Sequence, residues 1–219
     1  MRRRSVVRIF TALAVATIAA VIAGIILMKA DPSLRGVLFP PIRRISYSLV
    51  VQKVRDGKPY EEPFLSSGQE VFQSGDQFRL KLLNSEAGFF YVFNEGLGED
   101  TSVHFNILYP TPKRNEGSAE TGANQMVETG ENEFGNAPGT EKLWIIWTRQ
   151  KEPELEAAKT TAFTGLGRIQ DGGQEQHLRH FLQERLQNQV HINKDVDAKE
   201  TTIAATGDVT VYLLYLEHR

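Results

Sequence analysis

His177, His180 and Glu184 are side chains that can hold a metal ion, and they sit three and four residues apart. On a helix the three fall within about 60° of one another, so a single face presents them together. A metal-dependent hydrolase would use such a set. The apolar stripe through Leu178, Leu182 and Leu186, however, is centred about 130° away. That leaves the trio on the solvated face, without the outer hydrogen-bond partners that orient metal ligands. Glu95, Glu99 and Asp100 offer hard oxygens of the kind calcium takes, but no alternating Asp/Asn ladder accompanies them, so they read as a charged hairpin. A serine hydrolase would want Gly-x-Ser-x-Gly at a strand-to-helix elbow, and the nearest string, Leu65-Ser66-Ser67-Gly68, lacks that form. Thr164-Gly165-Leu166-Gly167 is too short of glycine to cradle a phosphate. No catalytic constellation emerges, and no cofactor is called for.

The elements that would carry these residues are mostly strands. Gln77 to Leu83 alternates with Phe78, Leu80 and Leu82 on one face, Ile45 to Val54 alternates in part, and Phe89 to Phe93 is dense in aromatics. Phe89, Tyr91 and Phe93 share one face while Phe90 and Val92 take the other. Trp144 and Trp147 likewise fall on opposite faces of Lys142 to Thr148. Strands apolar on both sides are covered on both sides, here by a second sheet and a helix. Ser102 to Tyr109, Gln125 to Glu128 and Asp208 to Glu217 complete a set of about seven strands. Turn signals separate them at Ser74-Gly75-Asp76, Asn94-Glu95-Gly96, Pro110-Thr111-Pro112 and Pro138-Gly139-Thr140. Residues 113 to 123 read as a polar surface loop. Glu152 to Lys159 reads as a short helix, and Gly173 to Val190 as a longer amphipathic one with Leu178, Phe181, Leu182, Leu186 and Val190 at helical spacing.

The N-terminus has a different character. MRRRSVVR is basic, and Ile9 to Met28 is an uncharged apolar run. At about 1.5 Å per residue this run spans roughly 30 Å, the thickness of a bilayer's hydrocarbon core. A cleaved secretory signal would have a shorter apolar stretch and small residues before the cut, whereas Met28 stands near the junction here. Arg2, Arg3, Arg4 and Arg8 precede the run in a tighter cluster than Lys29, Arg35, Arg43 and Arg44 follow it, which favours a cytoplasmic N-terminus. The first thirty residues hold five of the cations and no acid, so a net charge of −2 for the chain becomes −7 for the remainder. That balance argues against a nucleic-acid footprint. The chain has no cysteine, which excludes disulfides, thiolate chemistry, Cys-based zinc and a lipoprotein anchor.

Four strings recur in order: Gly75-Asp76-Gln77-Phe78-Arg79-Leu80; Gly88-Phe89-Phe90-Tyr91-Val92-Phe93-Asn94; Ile107-Leu108-Tyr109-Pro110; and Pro138-Gly139-Thr140-Glu141-Lys142-Leu143-Trp144. In this the chain resembles the bacterial family called domain of unknown function 4384, over roughly residues 64 to 150. The resemblance implies a β-rich, noncatalytic module of a kind often joined to serine/threonine kinases or caspase-like proteases, neither of which is present here. It brings no catalytic residue. Gly75, Asp76, Gly88, Tyr91, Pro110, Pro138, Gly139 and Glu141 are its motif residues, and their roles read as structural: Gly75 for positive φ in a turn, Gly88 for a turn entering a central strand.

The expected architecture is a mainly β protein, an antiparallel β-sandwich with one or two packed α-helices, preceded by a single transmembrane helix. Residues 1–30 form a cytoplasmic basic tip and anchor, 31–44 a juxtamembrane linker, and 45–219 an extracytoplasmic β-rich domain. The corresponding function is a binding or sensory module in a bacterial inner or plasma membrane. Its partners would be the membrane, through residues 9–28, and an unidentified protein or ligand in the envelope. The alternatives are a metal-dependent envelope hydrolase and a structural subunit that assembles through a sheet edge or through the anchor, where Gly24 and nearby alanines permit close helix packing.

Overall fold

The computed structural model describes residues 42–97, 102–135, 138–186 and 190–219. The expected anchor and most of the expected linker lie outside the described residues, as do Glu99 and Asp100. No helix among the described residues is long and apolar enough to cross a membrane.

The chain begins with β1 (Ile42–Gln52), the short ribbon β2 (Val54–Arg55) and β3 (Lys58–Pro59), β4 (Phe64–Ser66), β5 (Gln77–Asn84), β6 (Gly88–Leu97) and β7 (Val103–Tyr109). A 3-10 turn at Asn115–Gly117 leads to β8 (Glu120–Thr121), β9 (Met126–Glu128), β10 (Asn132–Glu133) and β11 (Gly139–Thr148). Helices α1 (Pro153–Thr164) and α2 (Gly172–Leu186) follow, and β12 (Val190–Asp195), β13 (Glu200–Thr206) and β14 (Val209–His218) close the chain. The larger sheet runs β10-β5-β1-β13-β12, with β4 also on β1 and β9 on β5. The smaller runs β14-β11-β6-β7, with β8 on β6. The pairings of both sheets are antiparallel.

Period-two patterning builds two cores on either side of the smaller sheet. On one side Phe90, Val92, Leu143, Ile145, Trp147, Leu214 and Leu216 meet Ile45, Tyr47, Leu49, Val51, Phe78, Leu80 and Leu82 of the larger sheet. On the other, Tyr91, Phe93, Trp144, Ile146 and Val211 meet Leu155, Ala158 and Ala162 of α1 and Leu178, Phe181 and Leu182 of α2. Trp144 and Trp147 thus serve opposite cores, as their spacing requires. The helix side is locked by polar contacts: the Tyr91 hydroxyl donates to Glu156 at 2.7 Å, and the buried Glu95 carboxylate accepts from the Trp144 indole at 2.9 Å and pairs with Arg179 of α2.

Several expectations need correction. β1 starts at Ile42, three residues inside the expected linker, and Arg43 is buried against Asp208, Glu86 and the Gly207 carbonyl. Glu95 is a strand residue facing the helices, not part of a hairpin loop. Residues 113 to 123 are more ordered than a connector: β8 pairs with Gly88 and Phe89, and Ala119 and Thr121 are buried. Helix α1 runs to Thr164, past Lys159, because Thr160 and Thr161 turn their hydroxyls onto the carbonyls of Glu156 and Ala157 while Ala162 continues the buried stripe. Helix α2 ends at Leu186, and Val190 opens β12 and packs on the inter-sheet core. Its start is fixed by Asp171, whose carboxylate accepts the Gln174 amide at 2.8 Å. Gly88 is needed for close approach, not for a turn: a Cβ there would sit 2.5 Å from the Thr148 carbonyl oxygen and 2.7 Å from the Trp147 ring.

Candidate functional site

Five of the eight motif residues come together at one end of the two sheets. Gly139 lies opposite His218 in the β11/β14 register, and Glu141 opposite Leu216. Phe72 bridges to His218 from the other side, and the Ser74 amide donates to the Arg219 carbonyl at 2.9 Å. Gly75 takes φ +84°, the left-handed turn that favours glycine, and its amide donates to Phe134. Phe134 fills the centre of this end, with its ring 4.8 Å from Phe72, 4.6 Å from Phe78 and 5.4 Å from His218. Pro138 precedes β11 directly.

A line of polar groups crosses the same end. Asn94 donates to Glu141 at 2.8 Å, Glu141 stands 3.6 Å from His218 Nε2, and His218 Nδ1 is 3.2 Å from the Ser74 hydroxyl. A serine, a histidine and a glutamate in contact are the residue types of a hydrolytic triad, which would need an oxyanion hole beside Ser74. The amides that an oxyanion hole would draw on are spent: Ser74 on Arg219, Gly75 on Phe134 and Asp76 on Gln73. Within the line Asn94 Oδ1 is buried without a hydrogen-bond partner among the described residues.

Asp76 faces the other way. It is 3% exposed, and its carboxylate accepts the Val54 amide at 3.0 Å and the Gln73 amide at 3.3 Å. Those amides belong to two separate segments, the β2–β3 ribbon and the stretch leading into β5. Between the two segments lies an open cleft of about 630 Å³, within the 300 to about 1,000 Å³ usual for small-ligand sites. Polar atoms make up the larger part of its lining; Val54, Phe64 and Val71 supply the apolar part, and Ser74 and Asp76 close its inner end. The ribbon turns on Asp56-Gly57 at φ +51° and +71°, the pair of left-handed residues a two-residue hairpin demands. Its Arg55 guanidinium lies 4.5 Å over the Tyr60 ring at the mouth of the cleft. Lys53 is bonded to Glu61 at 3.0 Å, and that carboxylate raises the pKa of its ammonium above the usual lysine value.

The remaining motif residues are elsewhere. Gly88 packs under Trp147, Tyr91 binds Glu156, and Pro110 is buried after the cis Tyr109–Pro110 bond. His177, His180 and Glu184 sit on the exposed face of α2, where His180 and Glu184 pair at 3.1 Å beside Glu154 in a depression of about 330 Å³. No three His, Asp or Glu side chains among the described residues are disposed to hold a metal ion. His218, Asn94, Arg55 and Tyr60 escaped the sequence reading. Asp56-Gly57 is the one local signal that marks the ribbon.

No protein-family model matches this chain, and no curated protein or solved structure matches it either.

Proposed function

We propose that this chain is a noncatalytic binding or sensory module of a bacterial cell envelope, with the cleft beside Asp76 as its ligand site. In this reading residues 9–28 anchor it in the inner or plasma membrane, and the β-rich unit, a β-sandwich with helices packed on it, lies outside the cytoplasm. The observation that carries the binding role is Asp76. A carboxylate buried to this degree is costly unless hydrogen-bonded, and here its bonds tie together the two walls of an open cleft of mixed, mainly polar lining. The spent amides around Ser74 support a role without hydrolysis.

Placement is tested with a single thiol. Ser118 is exposed, and Ser118→Cys would create the sole cysteine of the chain. A membrane-impermeant maleimide should label it in intact cells, or after permeabilisation of an outer membrane alone. Labelling that requires lysis of the inner membrane would overturn the outward placement and leave a cytoplasmic adaptor as the reading.

A further inference from the structure

We propose that the cleft takes an organic carboxylate with an apolar or aromatic body, the carboxylate held by Arg55 and the body lodged against Phe64 and Val71; this rests on the reading of the cleft as the ligand site. Three features of the cleft single out that chemistry. Arg55 is the cation with capacity to spare. Lys53 is already bonded to Glu61, whereas no Asp or Glu among the described residues pairs with Arg55, whose Cζ instead lies 4.5 Å from the centroid of the Tyr60 ring. A guanidinium offers a planar fork of donors that matches a carboxylate in two bonds at once.

The apolar part has a place that nothing in the fold fills. Val71 is 48% exposed and Tyr60 is 42% exposed, although both line the cleft. Covering them would remove apolar surface from water.

The orientation follows from the other charges. Asp76 and Glu70 also line the cleft, but each already accepts hydrogen bonds, Asp76 from the Val54 and Gln73 amides and Glu70 from the Ser66 hydroxyl and the Gln69 amide. The buried Asp76 carboxylate repels a second one from the inner end, so the ligand's charge belongs at the mouth beside Arg55 and its apolar body inside.

The test uses the full chain in lipid nanodiscs, with empty nanodiscs as the background, and saturation-transfer difference NMR. The probes are N-acetylphenylalanine and its uncharged carboxamide, which differ only at the carboxyl group. The acid should bind at least about tenfold more tightly than the amide, the worth of one charge-assisted pair. Arg55→Gln should abolish that preference while leaving the amide's affinity and the melting temperature unchanged, because Arg55 is exposed on a hairpin. Raising the salt concentration should narrow the preference in the wild type. Equal binding of the two probes would overturn the carboxylate assignment and leave the cleft reading standing. A preference that survives Arg55→Gln would place the anion elsewhere and overturn the proposal. No binding of either probe at millimolar concentration would overturn both the assignment and the cleft as a ligand site.

Discussion

Glu95 and Asp76 are both buried carboxylates, 5% and 3% exposed, yet they stand at opposite kinds of place. Glu95 takes its bonds from side chains, the Trp144 indole, Arg179 and, at 3.8 Å, Lys142, and it fastens the smaller sheet to α2. Arg179 in turn lies 4.9 Å over the Phe105 ring, with its outer edge open to solvent. Asp76 takes its bonds from two backbone amides and borders open volume. A lock between layers is built from charges that cancel one another. A wall of a site is built from a charge that organises backbone and leaves space beside it. Side-chain type alone does not separate the two, whereas the bonding partners and the adjacent volume do.

The comparison breaks most visibly at Glu95. Glu95→Ala strands the Trp144 indole and leaves half-buried Arg179 without its carboxylate, so urea denaturation should show a loss of about 2–3 kcal/mol. The near-ultraviolet circular dichroism of Trp144 should change with it. A loss within experimental error would mean that α2 is held by apolar packing alone.

Asp76→Ala removes two charge-assisted bonds and leaves the Val54 and Gln73 amides bare. A loss of about 2 kcal/mol is expected, together with loss of probe binding in the cleft. Undiminished binding by this variant would show that Asp76 does not set the walls.

One buried tyrosine in each core, Tyr91 on the helix side and Tyr47 between the sheets, should carry the alkaline sensitivity of the fold. Burial, and secondarily the Glu156 carboxylate, push the Tyr91 hydroxyl's pKa well above its ordinary value, and burial does the same for Tyr47. The unfolded chain's tyrosines ionise near pH 10 while these stay protonated, so their stabilisation is complete below about pH 10 and is lost as pH rises. Each contributes up to about 1.4 kcal/mol per pH unit to that loss. Tyr91→Phe should flatten the decline in denaturation measured between pH 9 and about 11, and an unchanged slope would refute the assignment. On the acid side burial alone would raise the Glu156 carboxyl, but the bonds from Lys159 and Tyr91 outweigh it and hold its pKa below the usual value. That contribution is present above the unfolded chain's glutamate range and fades as pH falls through the lowered value.

The smallest effect is expected on the exposed face of α2. His180→Ala should change stability by no more than about 0.5 kcal/mol, as at most surface positions. A metal-dependent shift in melting temperature that the variant abolishes would revive the trio as ligands.

What the sequence disclosed follows the strength of its patterning. β5 is legible because Phe78, Leu80 and Leu82 alternate strictly with polar residues. β13 is not, because its buried face is Thr201, Ile203 and Ala205, where a hydroxyl and a small side chain take places that a strand usually gives to larger apolar groups. Thr160 and Thr161 hid the second half of α1 in the same way, by spending hydroxyls on the helix's own carbonyls. The motif residues were legible as turns one by one, but their convergence depends on register. Gly139 meets His218 only when β11 and β14 pair over their full length, a contact 79 positions apart in the sequence that no local pattern encodes. Arg55 and Tyr60 were illegible as a site because charges and aromatics on a short ribbon have no periodicity to betray them.

The most direct test of the central claim, that Asp76 holds the walls of a ligand cleft, is hydrogen exchange by mass spectrometry on the full chain, comparing wild type with Asp76→Ala. The account predicts faster exchange in peptides containing Val54 and Gln73, with β6 and β11 unchanged. Equal acceleration throughout would show instead that Asp76 serves the stability of the whole fold, and unchanged exchange at Val54 and Gln73 would contradict the claim outright.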